Sequence, residues 1–191
     1  QSSVARPPYA VGFRVYDYAG NPKGDEFHYN FPSNDGERST DIISLGDDKV
    51  GTILFTEGKL QSYILDTASQ TDIITDVYSF NNLSGWPGFQ LTKSESGFYT
   101  VFRDNDNYYI AEIDSNGTMI QQPSFILNGT YGNMDIVEFS ESYILAAYSD
   151  NSSKITYGIL LDQSDLSVVT SPKKIFDGTL NYQSNININE N

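Results

Sequence analysis

An aspartate recurs at the end of a strand-like run at near-constant intervals. FRVYD closes on Asp17, SYILD on Asp66, IAEID on Asp114 and GILLD on Asp162, spaced 49, 48 and 48 residues apart. Self-similarity at such a period means one small unit copied in tandem, because a unit this short buries its apolar faces only by stacking on its neighbours. The sequence around each aspartate defines the unit. A polar turn follows, then a second short strand, EFHYN, DVYSFN, PSFILN or KKIFD, ending in Asn30, Asn81, Asn128 or Asp177. A glycine-containing loop follows three of these. Next come a third strand (TDIISL, GFQLTK, MDIVEF, SNININ) and a fourth (VGTILF, FYTVFR, YILAAY). Tight polar hairpins such as TEGK and DNDN then return to the next Asp-ended run.

The alternation within these runs has period two, and no segment shows a sustained helical stripe. Glu57-Gly58, Asn105-Asp106 and Asn116-Gly117 supply the residues that tight turns require. Four short antiparallel strands in about 48 residues is the pattern of a propeller blade. The expected fold is therefore all-β and β-propeller-like, with four blades of four strands in one domain spanning residues 1–191. Val4-Ala5-Arg6 precedes Asp17 by the same 13 residues that separate Val101 from Asp114, so the chain opens on the second strand of a blade. It ends on SNININEN, a first strand. Pairing of the tail, at Ile186 and Ile188, with Val4 would close the ring and remove exposed sheet edges.

The recurrent aspartate reads as a turn cap, its carboxylate accepting backbone N–H groups of the turn that follows. DYAGNPKGDEFHYN also resembles a motif of large secreted bacterial repeat proteins, among them adhesins and chains with repeats-in-toxin modules. There a strand ends in Asp, a Gly-containing turn follows, and a Gly-Asp-Glu-Phe-x-Val-Asn-like strand comes next. Gly24, Asp25, Glu26, Phe27 and Asn30 match, while Tyr29 stands where an aliphatic residue is usual. The resemblance covers about one unit. It implies a propeller-like extracellular module and names no active residue.

Charge narrows the partners. Acidic residues number 25 against 11 basic ones, for a net −14, so phosphate backbones and anionic membrane surfaces are repelled. No apolar run reaches the roughly 20 residues of a membrane-spanning helix. With no cysteine there is neither a disulfide framework nor a thiolate metal site. The start at Gln1, without Met or an apolar signal segment, reads as a mature form or a piece of a longer chain. Aromatic residues make up 14 % of the chain, which argues for a packed core despite the acidity.

Candidate chemistry is thin. His28, the single histidine, alternates with Phe27 and Tyr29 and has no nucleophile motif for company. Asp17, Asp66, Asp114 and Asp162 could ring a channel, as the carboxylates of propeller-shaped glycosidases do. However, a position repeated in every unit is what a turn requires, whereas a catalytic pair breaks the repeat. Asp104–Asn107 and Gly46–Asp48 offer oxygen ligands to calcium without the spacing of a dedicated calcium loop, so no cofactor is expected beyond a weak calcium site. Asn82, Asn116, Asn128 and Asn151 begin N-x-Ser/Thr triplets in expected turns and are candidate glycosylation sites. Trp86, with Tyr131 and Tyr182 in equivalent loops, could stack on a sugar ring. The expected function is a non-enzymatic, secreted binding or scaffold module. Its partners would be a glycan surface or further copies of itself, joined into a filament through the terminal strands. A lectin-like propeller and a glycoside hydrolase are the alternatives.

Overall fold

The computed structural model describes residues 10–17, 19–30, 41–56, 58–81, 88–129 and 134–179, and among these it contains strands and turns without a helix. β1 (Ala10–Tyr16) and β2 (Pro22–Asn30) form a hairpin. Three four-stranded sheets follow. The second sheet holds β3 (Ile43–Gly46), β4 (Lys49–Thr56), β5 (Lys59–Asp66) and β6 (Thr71–Ser79). The third holds β7 (Phe89–Lys93), β8 (Gly97–Asp104), β9 (Asn107–Asp114) and β10 (Ser124–Asn128). The fourth holds β11 (Met134–Ser140), β12 (Tyr143–Asp150), β13 (Ile155–Asp162) and β14 (Lys173–Asp177). Each is an antiparallel meander in sequence order, as the four-strand unit requires. The first hairpin corresponds to the last two strands of that unit. Val4, Ile186 and Ile188, expected to complete it and close the ring, lie outside the described residues.

The sheets stack face to face. β7 lies beside β3 on one side and β11 on the other, so successive sheets meet through their first strands. Alternation along β8 and β9 sends side chains to two separate cores. Phe98, Phe102, Ala111 and Ile113 pack with Ile53, Leu60 and Ile64 of the second sheet. Tyr99, Val101, Tyr108 and Ile110 pack with Ile144, Ala146 and Ile159 of the fourth. That is why FYTVF reads as a continuous apolar run: a sheet buried on both faces has no polar side.

Hairpin geometry follows from local sequence. Gly46 pairs with Lys49 across a two-residue turn whose residues, Asp47 and Asp48, have φ of 46° and 59°. Left-handed backbone at both positions matches the twist of the strands it joins, and Asp tolerates it better than most residues. The outermost strands share another device. β6, β10 and β14 each carry a bulge where they pair with the Asp-ended strand, leaving Val77, Ile126 and Ile175 as the extra residue. A bulge twists an edge strand away from foreign pairing. The backbone bonds just past these strands correct the repeat as read from sequence. Phe80, Gly129 and Gly178 donate equivalent backbone bonds to Gly58, Asp106 and Lys154. The residue preceding each is Ser79, Asn128 or Asp177, so Ser79 and not Asn81 occupies the repeat position; β6 ends there and Asn81 lies two residues beyond.

Candidate functional site

All four recurrent aspartates cap their own turns. Asp17 Oδ1 accepts the N–H groups of Ala19 (2.9 Å) and Asn21 (2.8 Å). Asp66 Oδ1 accepts those of Ala68 and Ser69, both at 2.9 Å. Asp114 Oδ1 accepts those of Asn116 (2.8 Å) and Thr118 (2.9 Å), and Asp162 Oδ1 that of Ser164 (2.8 Å). Hydrogen bonds to the ionised form favour it. The Asn21 amide N–H, with its side chain, holds Asp17 below the ordinary carboxylate value, and the Ser69 N–H does the same for Asp66.

These turns bear on the sheet before them. Ser62 Oγ on β5 donates to the Gly117 carbonyl at 2.6 Å, and a Cβ on Gly117 would stand 2.9 Å from that hydroxyl. Gln70, at the end of the turn after Asp66, packs against Gly24 on β2. In the fourth sheet the turn after Asp162 inserts Leu166, fully buried, into the core shared with the third sheet, and the Asp165 carbonyl accepts from Ser124 Oγ at 3.4 Å. The capped turn is thus a rigid bearing between neighbouring units. The same short-range chemistry appears at aspartates that the repeat did not single out. Asp150 accepts from the Ser152 N–H and from the hydroxyls of Ser152 and Ser153, and is pulled down to about 2. Asp165 accepts from the Ser167 N–H. The signal was available as Asp-x-Ser at 150, 162 and 165.

An aromatic row crosses from the second sheet to the third. Phe55 meets Phe80 at 5.6 Å, Phe80 meets Tyr78 at 5.0 Å, and Tyr78 meets Phe102 at 4.8 Å. Phe102 stacks on Tyr109 at 5.8 Å, and Tyr109 meets Phe125 edge-on at 6.0 Å. The Tyr78 hydroxyl donates to Asp104 Oδ2 at 2.8 Å; burial, then that carboxylate, pushes its ionisation well up. The row surfaces at Phe125, which is 52 % exposed. Asn128 Nδ2 donates to Asn107 Oδ1 at 2.8 Å where the two residues pair, at the other end of β10 from Phe125.

Of the sugar-stacking candidates, Trp86, Tyr131 and Tyr182 lie outside the described residues, as does Asn82. Asn116, Asn128 and Asn151 are exposed in or beside turns. Asn116 Oδ1 accepts from Lys49 Nζ at 3.1 Å, and Asn128 from the sequence pattern is committed to Asn107. His28 pairs with Gly12 on the hairpin, its side chain outside the described set. Oxygens of the Asp104–Asn107 hairpin are engaged by Tyr78, by the Gly129 N–H and by Asn128. Among the described residues, no three His, Asp or Glu side chains converge as a metal site. Compared with known proteins, the chain matches no family model and no curated protein sequence.

Proposed function

We propose that this protein is a non-enzymatic extracellular binding or scaffold module of the β-propeller class, its ring completed by the first and last strands of the chain. The observation that carries this reading is the use to which the four repeated carboxylates are put. Each is bound by its own turn, on a different sheet, and the turns after Asp66, Asp114 and Asp162 also touch the neighbouring unit. A glycosidase needs one carboxyl kept protonated and a second kept ionised on either side of one bond. Asp17 and Asp66 are both held in the ionised form by their turns, which suits a cap and not a general acid. A panel of chromogenic glycosides tests this: no turnover is expected, and turnover abolished by Asp114→Asn would overturn it. Light scattering tests closure. A closed ring stays monomeric as concentration rises, whereas pairing of one chain's tail with the next chain's head gives mass that grows with concentration.

A lectin-like reading is favoured by the aromatic row, which ends in the exposed Phe125 ring on the strand that also carries Asn128. Aromatic faces and planar amides are the groups that hold sugars. A glycan array with wild type, Phe125→Ala and Trp86→Ala tests it; retention of a glycan that either substitution abolishes supports it.

A further inference from the structure

A cleft of about 460 Å³ opens between β1 of the first hairpin and the β3–β4 turn of the second sheet. Its volume falls in the range of small-molecule sites, roughly 300–1,000 Å³. Ile42, 52 % exposed, and the half-buried Val15 and Val50 contribute apolar wall. Four charges line the same space: Arg14 and Lys49, Asp47 and Asp48. Among the described residues, ion pairs within 4.0 Å join Lys59 to Asp76 and Lys174 to Asp177, and none joins these four to one another. The carboxylates are carried on the exposed two-residue turn that joins β3 to β4, at the mouth of the cleft. Lys49 is steadied by its bond to Asn116.

Opposite charges held apart around an apolar wall fit a ligand that carries both. We propose that this cleft binds a small zwitterion, an α-amino acid with an apolar side chain. Its carboxylate meets the Arg14 fork, its ammonium meets the Asp47–Asp48 turn, and its side chain lies on Ile42, Val15 and Val50. Guanidinium and carboxylate are matched in geometry as well as charge. A zwitterion also has no net charge for a chain of −14 to repel, unlike a simple anion. The site is independent of ring closure, since hairpin and sheet are both present in the described residues.

Calorimetric titration of the full chain with leucine, N-acetylleucine and leucinamide tests the proposal. Leucine is expected to bind, with both single-charge analogues weaker by roughly tenfold or more, each lacking one ion pair. Arg14→Gln should weaken leucine by roughly tenfold while leaving leucinamide unchanged. Asp47→Asn with Asp48→Asn, which keeps residues tolerant of left-handed backbone, should weaken leucine and leave N-acetylleucine unchanged. Arg14 is exposed, so an unaltered thermal midpoint in its variant separates lost binding from lost folding. Absence of leucine binding, analogues that bind as tightly as leucine, or indifference of leucine to both variants would overturn the site. Glycoside and glycan results bear on the proposed module function and leave this outcome untouched.

Discussion

The third and fourth sheets share strand order, an edge bulge and an Asp-capped turn, yet their exposure differs sharply. The inner strands β8 and β12 are both largely buried, but among the outermost strands β10 keeps three of its five residues at least half-buried whereas all five residues of β14 are exposed. Ile126 at the bulge of β10 is buried, and Ile175 at the same point of β14 is 47 % exposed. The unit fixes local geometry, and burial comes from what stands on either face. The second sheet lies against one face of the third and the fourth against the other, so Phe98 and Phe102 of β8 pack on one side and Tyr99 and Val101 on the other. The edge of β14 is instead guarded by Pro172, Lys173, Lys174 and the bulge, which are means of discouraging foreign strands.

Matched truncations break or sharpen this contrast most directly. Phe102 is fully buried and touches three aromatic rings of the row besides its sheet neighbours. Phe102→Ala should destabilise by about 3–5 kcal/mol in urea unfolding. Phe176→Ala, at a side chain 41 % exposed on β14, should cost under about 1 kcal/mol. Equal effects would mean that burial does not distinguish the inner strand of the third sheet from the edge of the fourth.

The bearings between sheets come next. Leu166 has φ of 57° and is fully buried, so packing outweighs a left-handed backbone that costs roughly 1–2 kcal/mol. Leu166→Ala keeps the strain and loses the packing, for an expected loss of about 2–4 kcal/mol. Gly117 fills the corresponding slot between the second and third sheets at φ 84°. There Gly117→Ala should cost about 2 kcal/mol, since left-handed strain is joined by contacts to Ser62 and Ile64. Gly58→Ala, at φ 74° in open space, should cost only about 1 kcal/mol. If both glycines respond alike, the turn after Asp114 does not bear on the second sheet.

Much of this was legible in the sequence for a physical reason. Side chains alternate across a strand, and Gly, Asn and Asp mark turns because few other residues tolerate or cap them, so strands and hairpins were readable from residue types. The capping role of Asp17, Asp66, Asp114 and Asp162 followed from repetition itself. The bulges were not legible. An extra residue in one strand leaves the pattern of polar and apolar letters nearly intact while shifting the ladder. Asn81 came to stand in for Ser79 because the distance from the recurrent Asp to the strand end is 13, 14 and 15 residues in the three sheets, so no fixed interval marks that end. Short bridges after the turns, Met119 to Ile113 and Val168 to Leu161, were missed because single pairs have no periodicity. The aromatic row and the cleft join residues of different units, and no spacing within a unit encodes contact between units. Trp86, Tyr131 and Tyr182 were singled out for residue type and for their place in equivalent loops, whereas Phe125 needed its exposure and its ring partner to stand out.

The seam between the third and fourth sheets should also be sensitive to alkali. Tyr99 is buried there, and burial first, then the carboxylates of Glu112, Glu138 and Glu95, push its hydroxyl up to about 12 from 10.0. The unfolded chain therefore releases this proton at lower pH than the folded one. Stability is unaffected below about pH 10 and falls as pH rises towards about 12. Tyr99→Phe should flatten that part of the fall, seen as a urea midpoint that declines less between about pH 9 and pH 11 than in wild type. An unchanged slope would place the hydroxyl in contact with water.

The smallest effect belongs to the exposed hairpin of the fourth sheet, and its sign is opposite. Asp150 is held down to about 2 from 3.8, chiefly by the Ser152 and Ser153 hydroxyls and then by the Ser152 N–H. A carboxylate whose folded value is depressed contributes stability that is complete above its unfolded value, and loses it as pH falls through the folded one. The Asp150 contribution should thus vanish between about pH 4 and pH 2. Asp150→Asn should lower the thermal midpoint slightly at neutral pH and converge with wild type at the acid end. Asp162 caps its turn through the same Asp-x-Ser chemistry, with Ser164 Oγ donating to it at 2.6 Å. Asp162, however, leads the turn that carries Leu166 into the core between sheets, whereas the hairpin after Asp150 is exposed from Asn151 to Lys154. Asp162→Asn should therefore lower the midpoint more than Asp150→Asn does. The reverse order would show that a cap matters for its own turn alone, and that the turns do not hold the sheets apart.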